Sequence, residues 1–189
     1  MLNGQLSAYT NEQLSAYTNR QLAMLTTLGL VFDRTNSDVE RWRELRDKGW
    51  DGMTENERRE WIGEIIPLPA ASKGMYTHND LNRVESTVEQ LVALFRDLGY
   101  KVPDMYVKTD WTYEDDIRQR DMNRYLTNIE ILRKILRVFR DTPRTPTVYE
   151  RFDYMTANNI EKILYDLLNI LENIRSTQVY SGEIVSGEV

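Results

Sequence analysis

The sequence predicts an all-α protein: a three-helix bundle core with an N-terminal helix, a short helical satellite and an extended C-terminal arm. Three observations predict it. Apolar residues recur at helical spacing in three separate stretches of the second half; capping residues bracket those stretches; and only five Pro and nine Gly interrupt the 189 residues. A helix with one apolar stripe cannot bury it alone, so three neighbouring ones are most simply one unit.

Residues 1–32 form the first expected element. LSAYTNEQ (6–13) is followed at once by LSAYTNRQ (14–21). Beyond the duplication, Leu14, Tyr17, Gln21, Met24, Leu28 and Val31 alternate three- and four-residue steps, a short heptad-like seam on a helix over residues 5–30 that ends near Gly29. Such a stripe is not stable in water, so the helix either folds back on its own chain or meets a partner. The repeated tyrosine-bearing patches, about 12 Å apart along a helix, favour a partner. Leu6, Tyr9, Leu14, Tyr17, Met24 and Leu28 are the interface candidates here.

Residues 33–75 read as the satellite. Ser37 is expected to cap a helix through Asp47, with Glu40 reciprocating and Gly49 as the stop; Thr54 with Glu57 opens a second, short helix. Pro67 and Pro69 make the stretch after Ile65 extended or kinked. Trp42, Trp50, Trp61 and Trp111 are assigned to packing.

The core spans 76–179. Leu81, Val84, Val88, Leu91 and Leu94/Phe95 form its first stripe; Met122, Tyr125, Ile129, Leu132 and Ile135/Leu136 the second; Ile160, Ile163/Leu164, Leu167 and Ile170/Leu171 the third. Thr77 should start the first helix and Gly99 end it, Asp141-Thr142-Pro143 should end the second, and Thr156 should start the third. Weak echoes accompany the stripes: TxxDLNRV near 80, DMNRY 41 residues on, and NIEKI 38 further. Between the first two helices, Val102, Met105, Tyr106, Val107 and Trp111 suggest an extended element lying over the bundle. Residues 180–189, YSGEIVSGEV, repeat Ser-Gly-Glu; their Ile/Val alternation suggests an arm lying along a neighbour, with Tyr180, Glu183 and Ile184 as contacts and a frayed terminus as the plain alternative.

Chemistry is sparse. Cysteine is absent, which excludes disulfides, thiolate catalysis and Cys-based metal sites; His78 is the one histidine and reads as a first-turn residue. Asp110, Glu114, Asp115 and Asp116 are the densest carboxylates, better explained as acids before a helix than as a cation site. No nucleotide-binding glycine motif occurs. Nine basic against four acidic residues between Arg118 and Arg151 leave the remainder at −11 in a chain of net −6; Arg133, Arg137 and Arg140 would share a helix face, but nucleic acid is not an expected partner of an acidic chain. No stretch suits a membrane, the start lacks the pattern of a secretion signal, and neither cofactor nor metal is expected.

The strings DRTNSDVERWRELRDKGWDGMTENERREWI, YTHNDLNRVESTVEQL, KTDWTYEDDIRQRDMNRYLTNIEILR, MTANNIEKILYDL and YSGEIVSGEV, spread over residues 33–189, resemble small structural proteins, or terminal modules of tail proteins, from the tail and baseplate regions of phages and prophages of Gram-positive bacteria. DLNRVE, KTDW and a terminal YSGE together carry the likeness, and residues 1–32 depart from it. The resemblance implies no enzymatic activity. It makes Asp80, Leu81, Asn82, Arg83, Lys108, Thr109, Asp110, Trp111, Tyr180, Ser181, Gly182 and Glu183 scaffold or interface residues. It also implies other tail or baseplate proteins as partners, compatible with homo-oligomers, and location in a virion tail after assembly in the host cytoplasm. A transient assembly adaptor or chaperone is the alternative; a small hydrolase using Glu114 or Asp116 is a third.

Overall fold

A computed structural model describes residues 28–62, 73–148 and 151–185, with side chains as far as Thr177. The described residues contain five helices: α1 Asn36–Gly52, α2 Glu55–Trp61, α3 His78–Asp97, α4 Gln119–Ile135 and α5 Tyr154–Val185. α3, α4 and α5 form the core, and α1 with α2 forms a satellite built on Leu45, Met53 and Trp61.

All three stripes face one another. Leu81, Val84, Val88, Leu91 and Phe95 of α3, Tyr125, Leu126, Ile129 and Leu132 of α4, and Ile160, Ile163, Leu164, Leu167 and Leu171 of α5 are buried together, with Trp111 and Leu30 added from outside the helices. The caps follow from local chemistry. The Thr77 hydroxyl accepts from the Asn79 N–H while Asp80 accepts from the Thr77 N–H at 2.7 Å. α3 closes with the Gly99 N–H on the Arg96 carbonyl and the Tyr100 N–H on that of Phe95, the paired bonds that require a residue of positive φ, here Gly99 at 84°.

The core helices run parallel. Arg83 of α3 reaches Glu161 of α5 at 2.8 Å, Arg124 of α4 reaches Glu85 of α3 at 2.6 Å, and the Tyr76 hydroxyl meets that of Tyr125 at 2.5 Å, so all three N-termini lie at one end. Each connection must therefore return the chain. Residues 100–111 run back along α3, from Tyr100 edge-on to Phe95 (5.7 Å) to Trp111 at Asn82. Residues 143–152 run back along α4, from Pro143 at Arg133 through Val148 beside Leu126 to Phe152 edge-on to Tyr76 (4.8 Å). The echoed motifs occupy matching levels: Asp80 and Asp121 each accept a backbone N–H at their helix start, and Arg83 and Arg124 each reach a neighbouring helix.

Several boundaries differ from the sequence reading. α1 starts on Thr35 with Asp38, two residues earlier than Ser37 with Glu40, because Thr35 supplies the extended backbone and accepting hydroxyl. α4 stops at Ile135, not at Asp141: the chain leaves the axis so that Thr142 can bury its hydroxyl on Asp166 at 2.7 Å, which removes Arg137 and Arg140 from any helix face shared with Arg133. Asp153, not Thr156, caps α5 by accepting the Thr156 N–H at 3.0 Å. The acids 114–116 precede α4 without capping it; Asp115 instead folds the turn at Thr112, accepting that residue's N–H at 2.6 Å. The expected extended arm is helical as far as Val185, since no proline follows Tyr154 in that run and one interior glycine, Gly182, costs a long helix only about 1 kcal/mol. Trp50 is 51% exposed beneath Arg58, whereas Trp42 and Trp61 stack at 6.4 Å.

Candidate functional site

The chemistry-bearing side chains gather around α3, in two networks, one toward α5 and one toward α4. In the first, Glu161 is fully buried and accepts four bonds: from the Val31 N–H at 2.5 Å, from Arg34 Nη2 at 2.7 Å, and from Arg83 Nε and Nη2 at 3.1 and 2.8 Å. Asp80 shares both guanidiniums, at 2.9 Å to Arg34 and 2.5 Å to Arg83. Arg34 also donates to the Val31 carbonyl, and its own backbone is held by Asn158. Burial opposes the charge on Arg34 and Arg83, and Glu161 with Asp80 more than offsets it, so both guanidinium pKa values lie above their ordinary range. Burial likewise pushes the Tyr76 and Tyr125 hydroxyls far up. Two cations face two anions in a protected place. One donor, Arg34 Nε, is buried without a partner.

The second network ties down the 101–117 connection. The Asn82 carboxamide accepts the Trp111 N–H at 2.7 Å and donates to the Trp111 carbonyl at 2.8 Å. Buried Glu85 accepts the Trp111 indole N–H at 3.2 Å, the Lys108 N–H at 3.1 Å and both Arg124 nitrogens. Arg124 and Asn128 each donate to the Tyr106 carbonyl, and Lys108 lies 4.7 Å over the Trp111 ring while pairing with Asp110 at 3.0 Å.

The motif residues thus have separate tasks. Asp80 holds Arg34, Arg83 ties α3 to Glu161 of α5, Leu81 enters the core, Asn82 grips Trp111, and Asp110 stays at the surface as a partner for Lys108. The structure pairs Asp80 with Arg83 and Asn82 with Trp111. Leu28 packs on the core of its own chain, which makes it an intrachain contact at this point. Leu6, Tyr9, Leu14, Tyr17 and Met24 lie outside the described residues, and Tyr180, Glu183 and Ile184 are described only as helical backbone.

Sequence reasoning passed over Arg34, Glu85, Arg124, Asn158 and Glu161. A signal was present for two of them: Glu85 lies between Val84 and Val88, and Glu161 beside Ile160 and three before Leu164, each inside a buried arc where a carboxylate demands a partner. Among the described residues no three His, Asp or Glu converge as metal ligands, and no helix is long and apolar enough to cross a membrane. No protein-family model matches the chain, and neither a curated protein nor a solved structure matches it.

Proposed function

We propose that this chain is a non-enzymatic structural component of a phage tail, baseplate or tail-fibre assembly, acting through protein–protein contacts with other tail or baseplate proteins. The observation that carries the proposal is the use made of the motif residues. Those on which the resemblance to phage tail proteins rests, Asp80, Asn82, Arg83, Lys108 and Trp111, spend their polar groups inside the chain, lashing two extended segments to three helices. Side chains so engaged suit a rigid spacer better than a reaction centre. α5 supports the same reading: it has 32 residues against 20 in α3, and continues 14 residues, about 21 Å at helical rise, past Leu171, the last fully buried side chain among the described residues.

Attachment falls to the two ends, residues 1–27 and the distal part of α5. The test is the composition of purified particles from a host that encodes the chain. A fixed stoichiometric ratio to the major tail proteins is expected, lost on deleting residues 1–27 or 180–189 while the bundle still folds. Presence in assembly intermediates but not in finished particles would replace the proposal with a transient adaptor; absence from both would end it.

A further inference from the structure

A cavity of about 280 Å³ opens where α1, residues 73–76 and the start of α5 meet. Gly74 lets one wall form: a Cβ there would strike the Asp38 carbonyl, so only glycine allows residues 73–76 to press this closely on α1. Val39 and Arg43, one helical turn apart on α1, line one side, and Phe152 and Tyr154 line another. Arg34 lines the cavity at 4% exposure, with its guanidinium 5.4 Å over the Tyr76 ring, and its Nε has no hydrogen-bond partner. A buried donor left unmet in a cavity wall calls for a polar guest.

Charge sets this cavity apart. Among the described residues, four cations line it, Arg34, Arg43, Lys73 and Arg151, against one acid, Asp153. The acids nearby are already engaged. Asp153 accepts the Thr156 N–H at the start of α5, Asp33 holds Lys73 at 2.6 Å, and Asp38 accepts the Thr35 N–H at the start of α1. Glu40, one turn before Arg43, takes the Asn36 carboxamide at 2.6 Å, and Asp80 and Glu161 are shared between Arg34 and Arg83. That leaves Arg43 and Arg151, both exposed, and neither forms an ion pair among the described residues. Two uncommitted guanidiniums thus border one cavity in a chain of net charge −6.

We propose that this cavity binds a small phosphate monoester with a flat, apolar ester group, its phosphate held by Arg43 and Arg151 and its ester group lying against Tyr76, Phe152 and Tyr154. The volume is close to the lower end of small-ligand sites, about 300–1,000 Å³, so the occupant is larger than an inorganic ion. A phosphate monoester carries about −1.5 to −2 charges at neutral pH, which matches two guanidiniums where a carboxylate would match one. The planar fork of arginine also fits the oxygens of a phosphate in pairs. The stretches bordering the cavity in sequence, 63–72 and 149–150, bring one acid each, Glu64 and Glu150, and either carboxylate alone carries about half the charge that the two arginines accommodate. This inference stands apart from any role in a phage tail, and its test needs no particle.

The full chain is titrated at low salt with phenyl phosphate, inorganic phosphate and phenol, and the heat of binding is measured. One saturable site is expected for phenyl phosphate, with inorganic phosphate about tenfold weaker and phenol not bound. Arg43→Gln and Arg151→Gln should each weaken phenyl phosphate by about tenfold, the loss of a charge-assisted hydrogen bond. Both residues are exposed, so both variants should unfold at the wild-type temperature. Arg120→Gln, which removes an exposed cation on α4, should leave the affinity unchanged. No saturation at millimolar phenyl phosphate, affinities untouched by Arg43→Gln and Arg151→Gln, or equal weakening by Arg120→Gln would overturn the proposal. So would phenol or inorganic phosphate binding as tightly as phenyl phosphate. Binding that emerges only in Glu64→Gln or Glu150→Gln would overturn it as well, because the chain would then fill the site with its own carboxylate.

Discussion

Glu161→Gln should be among the most damaging single-atom changes available in this protein. The carboxylate accepts four bonds from three residues and has no water to turn to. Glutamine keeps the shape, but its amide nitrogen would point a donor at the Val31 N–H or at a guanidinium, and Asp80 would be left as the one anion facing Arg34 and Arg83. Removing one partner from a buried ionic set costs about 3–5 kcal/mol. With a urea dependence of about 2 kcal/mol per molar, the unfolding midpoint should fall by about 1.5–2.5 M. The comparison is Glu130→Gln, which removes a 3.0 Å pair with the exposed Lys134 and should cost under about 1 kcal/mol. If the Glu161→Gln midpoint moves no further than that of Glu130→Gln, the network is not the lock described above.

Leu91→Ala, Leu132→Ala and Leu167→Ala, each removing a fully buried side chain, should cost about 2–5 kcal/mol apiece, and about 2–4 °C of thermal midpoint per kcal/mol; three near-neutral results would dissolve the bundle. Gly74→Ala should loosen the satellite, because a Cβ there would run into the Asp38 carbonyl and come within 2.7 Å of Trp42 Cβ; changed tryptophan emission and faster proteolysis at α1, with the core intact, is the expected pattern. The bond from Lys48, with that from the Thr54 backbone, lowers the Glu57 pKa from 4.5 to about 2, so its contribution to α2 is full above pH 4.5 and is lost as pH falls toward 2. A carboxyl titration by NMR should show this, and Lys48→Met should return the midpoint toward 4.5.

The helices and their buried faces were legible because period alone encodes them: Val84, Val88, Leu91 and Phe95 can share a side only on a helix. Thr77 and Thr54 were legible as caps because an oxygen followed three positions later by an acid is a local signal. Direction was not legible, since an amphipathic stripe reads the same whether its neighbour runs up or down. The charged residues that set direction are separated by 78 positions for Arg83 and Glu161 and 39 for Glu85 and Arg124, beyond any local pattern. The end of α4 was missed for a related reason: the pull that ends it, Thr142 on Asp166, comes from another helix. The polar asparagines were passed over because a carboxamide's partner, main chain arriving from elsewhere, leaves no mark in sequence.

The echoed motif and the parallel direction explain each other. Three similar stripes could pack in an alternating arrangement as well as in a parallel one, and short loops would favour alternation. Apolar burial cannot choose between them. What chooses is where the polar groups meet. Arg83 finds Glu161, Arg124 finds Glu85 and Tyr76 finds Tyr125 only when the starts of all three helices share a level; reversing α4 would take Arg124 from buried Glu85, and reversing α5 would take Glu161 from Arg83 and Arg34. A buried ionic set adds little net stability over an apolar one but penalises wrong arrangements heavily. Its place near the helix starts, where the echo DLNR and DMNR also falls, is therefore where a device for selecting direction has to be. Parallel helices then force long returning connections, and the first of these supplies the extended segment that Asn82 holds at Trp111.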